Sequence, residues 1–323
     1  VTEEEFAGWV NETLGEVGDR LRVSVETAYG FAQDAARYLM DAGGKRLRPG
    51  LVIAAAGLGL DSGRLDVERM LRAAVMVELT HVASLYHDDV MDEAELRRGQ
   101  PTAHVRWGNC LAILVGDYML AQASLAGAYL GQDFMVYQSQ TLAALVQGQM
   151  AELRGPDPGV DPLEHHLFVV EGKTAALFAA SARYGGLAAG VSPDDVEALT
   201  RYGHDLGMAF QLADDLLDIV SEESGKSPGT DLREGVPTLA PLLVQEWNRP
   251  EDARLLELLS GPVAEANIPE ALALLRVHPA VDEARTQIRT WSSKASEALK
   301  SLPDTAATRS LQTLCEQAVV RTR

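Results

Sequence analysis

Residues 69–92 read RMLRAAVMVELTHVASLYHDDVMD. Leu71, Val75, Leu79, Val82 and Leu85 recur at spacings of three and four, the period of one face of an α-helix. The run then ends in acid. Asp88 and Asp92 are four residues apart, one turn, so both carboxylates project from the same side of the helix end. His81 lies seven residues before Asp88, two turns back on nearly that face. Alone it reads as a core histidine, and its alignment with the acids makes it a site candidate.

The same period extends outward through 111–130, 134–153, 167–184, 194–220, 239–247 and 281–300. Ser192-Pro193-Asp194-Asp195 is a helix start, with an N-cap serine, proline in the first turn and acids at the positive dipole end. Breaks fall at Gly43-Gly44, at Gly155-Pro156-Asp157-Pro158-Gly159, and across 221–238 with Gly225, Gly229 and Gly235. No alternating strand of useful length, repeat or linker interrupts them. At roughly 150 residues per domain, 323 residues would suggest two domains, yet one large helical core also fits. The expectation is an all-α fold, a single helical domain over 1–323.

With 28 Lys+Arg against 47 Asp+Glu, the formal charge is -19. A nucleic-acid binder needs a basic stripe, and adsorption to anionic lipid needs basic clusters, so both classes are excluded. Cys110 and Cys315 provide neither a disulfide framework nor a CxxC metal site, which reads as cytoplasmic. Val1-Thr2-Glu3-Glu4-Glu5 lacks the basic start of a signal peptide. The longest uncharged run, 134–151, carries Gln138, Ser139, Gln140, Thr141, Gln147 and Gln149, a poor membrane span. No transmembrane segment is expected.

A second acidic cluster, DDLLD at 214–218, repeats the spacing of DDVMD at 88–92. One copy would read equally well as a solvated helix end. Two copies, each followed by a glycine-bearing basic loop (Arg97-Arg98-Gly99 and Gly225-Lys226), call for a bound cation, because a helix C-terminus is the wrong end for unneutralised acids. Mg2+ suits such a site, preferring one or two carboxylates plus phosphate oxygens. Basic groups stand in unusual contexts nearby. Lys45 and Arg48 follow a double glycine, and Lys173-Thr174 sits in an apolar stretch where an ammonium needs a partner. Arginine forks suit diphosphate, and lysine supplies mobile point charge.

GGKRLRP at 43–49, ELTHVASLYHDDVMD at 78–92, RRGQPT at 97–102, GDY at 116–118, KT at 173–174, FQLADDLLD at 210–218 and GKSPGTDLREG at 225–235 together resemble the trans-prenyl diphosphate synthases. The motifs keep the family's order and spacing over roughly residues 40–240. The resemblance implies an isoprenoid-synthase-type helical bundle around a central cavity, usually a homodimer. It also implies head-to-tail joining of an allylic diphosphate, farnesyl or geranylgeranyl diphosphate, to isopentenyl diphosphate.

By that resemblance Asp88 and Asp92 hold two Mg2+ on the allylic diphosphate with Asp89 in support. Asp214 holds a third, with Asp215 and Asp218 nearby. Arg97, Lys173 and Lys226 contact the allylic diphosphate, whereas Lys45, Arg48, His81 and Arg98 contact isopentenyl diphosphate. Thr174 and Gln211 face the reacting carbons. The chain departs from the family at Val236, where many relatives have lysine, and at Ala240, where proline is usual.

Other classes fit less well. A noncatalytic subunit typically loses one acidic motif, and a terpene cyclase needs no isopentenyl diphosphate contacts. Short-chain relatives place bulky aromatics one turn before the first aspartate, where this chain has Ala83 and Ser84. The expected product is therefore a polyprenyl diphosphate of C30 or longer, with a farnesyl or geranylgeranyl diphosphate synthase as the alternative.

Overall fold

The computed structural model describes residues 1–221 and 228–321, and these form two compact units. Unit 1 comprises Val1–Leu142, Ala180–Thr200 and Ser301–Leu311. Its first helices are α1 (Glu3–Ser24), α2 (Gly30–Asp41), α3 (Leu47–Ala56) and α4 (Val67–Met91). Helix α1 starts in a capping box, Thr2 and Glu5 each bonding the other's backbone N–H. Asp66 caps α4 by accepting from the Arg69 N–H at 2.9 Å. Helix α4 is the axis of this unit, with Leu71, Val75, Leu79 and Val82 buried as the periodicity requires.

Beyond α4, strands β1 (Leu96–Arg97) and β2 (Gln100–Pro101) pair antiparallel. Two-residue strands are too short for alternation to register in the sequence. Arg98 and Gly99 both have positive φ, +53° and +75°, as a tight hairpin turn demands. Next come α5 (Ala103–Trp107), α6 (Asn109–Ala128) and α7 (Gln132–Arg154). Helix α6 packs along α4, and Gly116 permits it, since a Cβ there would lie 2.3 Å from Nε2 of His87. This explains the glycine of GDY. Helix α6 is also long and apolar enough to cross a membrane by length and composition, with a third of its apolar window buried.

Unit 2 comprises Ala143–Ala179, Arg201–Lys300 and Gln312–Arg323. After α8 (Pro162–Val170) comes a π-helical turn, Glu171–Ala175, and then α9 (Ala176–Ala189) and α10 (Pro193–Val220). The periodicity predicts one helix over 167–184, so the π turn is a local departure. Its backbone approaches α7 so closely that a Cβ on Gly148 would stand 2.9 Å from the amide nitrogen of Lys173. The remaining helices are α11 (Thr230–Glu234), α12 (Leu239–Trp247), α13 (Ala253–Leu258), α14 (Ile268–Arg276), α15 (Pro279–Ala298) and α16 (Ala306–Val320). The apolar faces of α11–α15, with those of α8 and α10, make a core that includes Leu212, Leu216, Leu243, Leu275 and Ile288. The all-α expectation holds. Ser192 caps α10, its hydroxyl accepting from the Asp195 N–H at 3.2 Å.

Candidate active site

In unit 1 the acids close α4 as expected, with Asp92 as the C-cap residue. The three aspartates have different surroundings. Asp88 is half-buried and Asp92 exposed, whereas the Asp89 side chain is 1% exposed and takes the Nε–H of Arg97. Burial raises the Asp89 pKa, opposed by the Arg97 charge. Arg97 is thus engaged inside the protein. The first and fourth positions of the motif face outward, and the second braces the hairpin.

The basic loop before α3 lies at the same end of unit 1. Lys45 is exposed, and Arg46 enters the helix with φ of +44°. Burial pushes the Arg48 guanidinium down to about 10, with the Glu78 charge opposing. Arg98 donates to the Leu39 carbonyl at 2.9 Å and crowds Gly44, where a Cβ would lie 2.8 Å from its Nη2. The double glycine is therefore a place of close approach. His81 is held well below its ordinary pKa by burial, then by Arg48, Arg98 and Arg97, so its imidazole is neutral at neutral pH. Glu78 went unnoticed in the sequence. It is buried one turn before His81, and the charges of Arg48, Arg46 and Arg98 oppose the rise that burial imposes on its pKa.

Ala83 is fully buried, while Ser84 is half-buried with its hydroxyl donating to the His81 carbonyl at 2.8 Å. Of the two small positions, only Ser84 borders open space.

Unit 2 repeats the acidic pattern. The Asp214 side chain is 51% exposed, but Asp215 is buried and accepts from Nε2 of Gln211 at 2.8 Å. Gln211 in turn accepts from the Thr174 hydroxyl at 2.8 Å, and His166 lies 3.5 Å from the far oxygen of Asp215. Thr174, Gln211 and Asp215 thus form one chain of bonds. The Lys173 ammonium finds the partner its setting demanded, an ion pair with Glu152 of α7. Asp218 accepts from the Asp231 backbone N–H at 3.1 Å. Lys226 lies outside the described residues.

Sequence reasoning missed Asp231, Glu152, His166 and Gln149. Asp231 is the acid of GTDLREG, and burial followed by the charges of Asp215, Asp218, Glu234 and Asp214 pushes its pKa up to about 8. Gln149 is buried with neither amide atom bonded, although its neighbour Gly148 touches the π turn. In the sequence it looked like one more polar residue of an uncharged helix.

Among the described residues no three acids, imidazoles or thiols converge as a protein cage for a metal. The donors still fit a hard divalent cation, which takes one or two carboxylates and completes its shell with phosphate oxygens and water. Burial does most to raise Asp231, and the acid crowding that adds to it is a repulsion such a cation relieves.

Each unit of this helical scaffold carries one such cluster of acids with basic groups, a donor set that suits a metal-bound diphosphate. Residues 31–275 match the polyprenyl synthetase family. The chain is 42% identical over 319 residues to nonaprenyl diphosphate synthase of Mycobacterium tuberculosis, covering 98% of this chain and 94% of that one. Among solved structures it resembles geranylgeranyl pyrophosphate synthase from Corynebacterium glutamicum complexed with calcium and isoprenyl diphosphate. There the TM-score is 0.88 and the identity 36%, with 98% of each chain covered. It also resembles a decaprenyl diphosphate synthase from Rhodobacter capsulatus, with TM-score 0.89, 32% identity and 100% of each chain covered. The chain belongs to the polyprenyl synthetase family.

Proposed function

We propose that the protein is a prenyltransferase that joins isopentenyl diphosphate head to tail to an allylic prenyl diphosphate, giving a polyprenyl diphosphate of C30 or longer. The observation that carries this reading is the matched construction of the two acidic motifs. In each, the second aspartate is buried and bonded within its own unit, and the first is the more exposed of the two.

Mg2+, three ions in this reading, would be held by Asp88, Asp92 and Asp214 and would stabilise the negative charge growing on the departing diphosphate. Arg97, Lys173 and Lys226 bind the allylic diphosphate. For Lys173 that means exchanging Glu152 for phosphate oxygens, a charge-assisted contact of the same kind. Lys45, Arg48 and Arg98 bind isopentenyl diphosphate, with neutral His81 as a hydrogen-bonding partner. Interactions that tighten as the C–O bond breaks lower the barrier, whereas uniform binding would not. The bond chain through Thr174, Gln211 and Asp215 fixes these side chains relative to one another, and in this reading the Thr174 hydroxyl and the Gln211 amide face the developing allylic cation. No side chain is assigned as the base, and the proton lost after attack goes to the departing diphosphate.

The relatives support a long product, and so does Ser84, which offers no bulk one turn below Asp88. A second copy of this chain is the proposed partner, covering the exposed Leu111, Leu114 and Leu125 on the outer side of α6.

The test is product chromatography after incubation with Mg2+, farnesyl diphosphate and labelled isopentenyl diphosphate. The expected product is C30 or longer and disappears when isopentenyl diphosphate is omitted. Consumption of the allylic substrate alone would indicate a cyclase instead. A product of C20 or shorter would overturn the length assignment.

A further inference from the structure

The second acidic cluster carries a cation of its own. Arg321, just past α16, donates from Nη2 to Oδ1 of Asp214 at 3.0 Å. Its guanidinium also lies 5.0 Å from the ring centroid of Phe210, four residues before Asp214 on α10. The neighbouring acids are engaged elsewhere, Asp215 with Gln211 and Asp218 with the Asp231 backbone. Arg321 therefore sits on the most open carboxylate of the cluster. An exposed ion pair of this kind is weak enough to exchange, and the aromatic face would keep the guanidinium nearby after release.

We propose that Arg321 is a positioning residue for the metal site. It neutralises Asp214 while no divalent cation is bound and gives up that carboxylate when one arrives. The proposal rests on the reading of Asp214 as a metal ligand. Two consequences follow from the geometry. The apparent metal affinity of this motif includes the displacement of Arg321. Metal binding also loosens the end of α16, because the Arg321 N–H makes a backbone bond there, to the Gln317 carbonyl at 3.2 Å.

The test uses the full chain stripped with chelator and no substrate, with Mn2+ as the probe and free Mn2+ counted by electron paramagnetic resonance. Arg321→Ala should bind Mn2+ roughly fivefold tighter than the unaltered protein, a coupling of ordinary size. Arg321→Lys, which keeps the charge, should return most of the way. In an Asp214→Asn background the effect of Arg321→Ala should vanish, whereas a general loss of positive charge would tighten the remaining sites there too. Hydrogen exchange supplies a second readout. Mn2+ should speed exchange at the Arg321 amide in the unaltered protein.

Equal Mn2+ affinity with and without Arg321, in a protein whose Asp214→Asn variant has lost a Mn2+ site, overturns this proposal alone. An Asp214→Asn variant that keeps every Mn2+ site overturns the metal reading as well. Exchange at the Arg321 amide that Mn2+ leaves unchanged also overturns the proposal.

Discussion

Asp88 and Asp89 are adjacent in the chain, and the proposed mechanism gives them opposite duties. Asp88→Ala should leave the melting temperature near that of the unaltered protein and lower turnover by about 10²–10³, the usual effect of losing one leaving-group stabiliser. Asp89→Ala removes a buried carboxylate from Arg97 and should destabilise the fold by about 1–3 kcal/mol, the cost of stranding a bonded partner. Thermal melts and steady-state rates on both variants check the contrast. Ser84→Phe should shorten the product toward three or four isoprene units while the first condensation survives, read by chromatography. Ala83→Tyr, at a fully buried position, should instead cost about 1–3 kcal/mol through overpacking. The acids, Lys173 and the arginine loop could be read from sequence because charge at an apolar helix end or inside an apolar run is conspicuous. Glu78 and Asp231 could not, since an acid's burial depends on which helices cover it.

At the scale of elements, the long helices and the α10 cap followed from periodicity and local chemistry, while the π turn did not. One extra residue in a turn leaves almost no trace in an apolar pattern, and here the close approach of Gly148 accompanies it. His204 of α10 holds the start of that turn. Its Nδ1 lies 2.9 Å from Asp205 and its Nε2 3.5 Å from Glu171, with the Trp291 ring beside it and Lys294 over the far ring. The Asp205 bond raises the His204 pKa above its ordinary value, against burial. Because the folded value exceeds the unfolded one, the stabilisation is complete below the unfolded pKa and is lost as pH rises through the folded one. The melting temperature should therefore fall across that window, and His204→Gln should flatten the fall.

At the scale of the whole molecule, the charge of -19 is an average that leaves room for local basic groups such as Lys45, Arg48 and Arg98. The proposed self-association would leave a different trace. Leu111→Glu with Leu114→Glu should convert a species of about twice the 34.8 kDa chain mass into one of single mass by light scattering, because charge on an apolar interface opposes burial.

Unit 1 also sets a timetable for biosynthesis. Its Phe6 ring is buried against Gly57, and the Ala307 methyl fills the same corner, while Glu3 pairs with Arg309. As the chain leaves the ribosome, α1 is made before residues 301–311 and waits for them, some three hundred codons later. Chains translated from the N-terminus normally complete their early domains first. Unit 1 cannot, and the nascent form must keep an apolar corner open until residues 301–311 have been made, an interval over which a holding chaperone has a surface to shield.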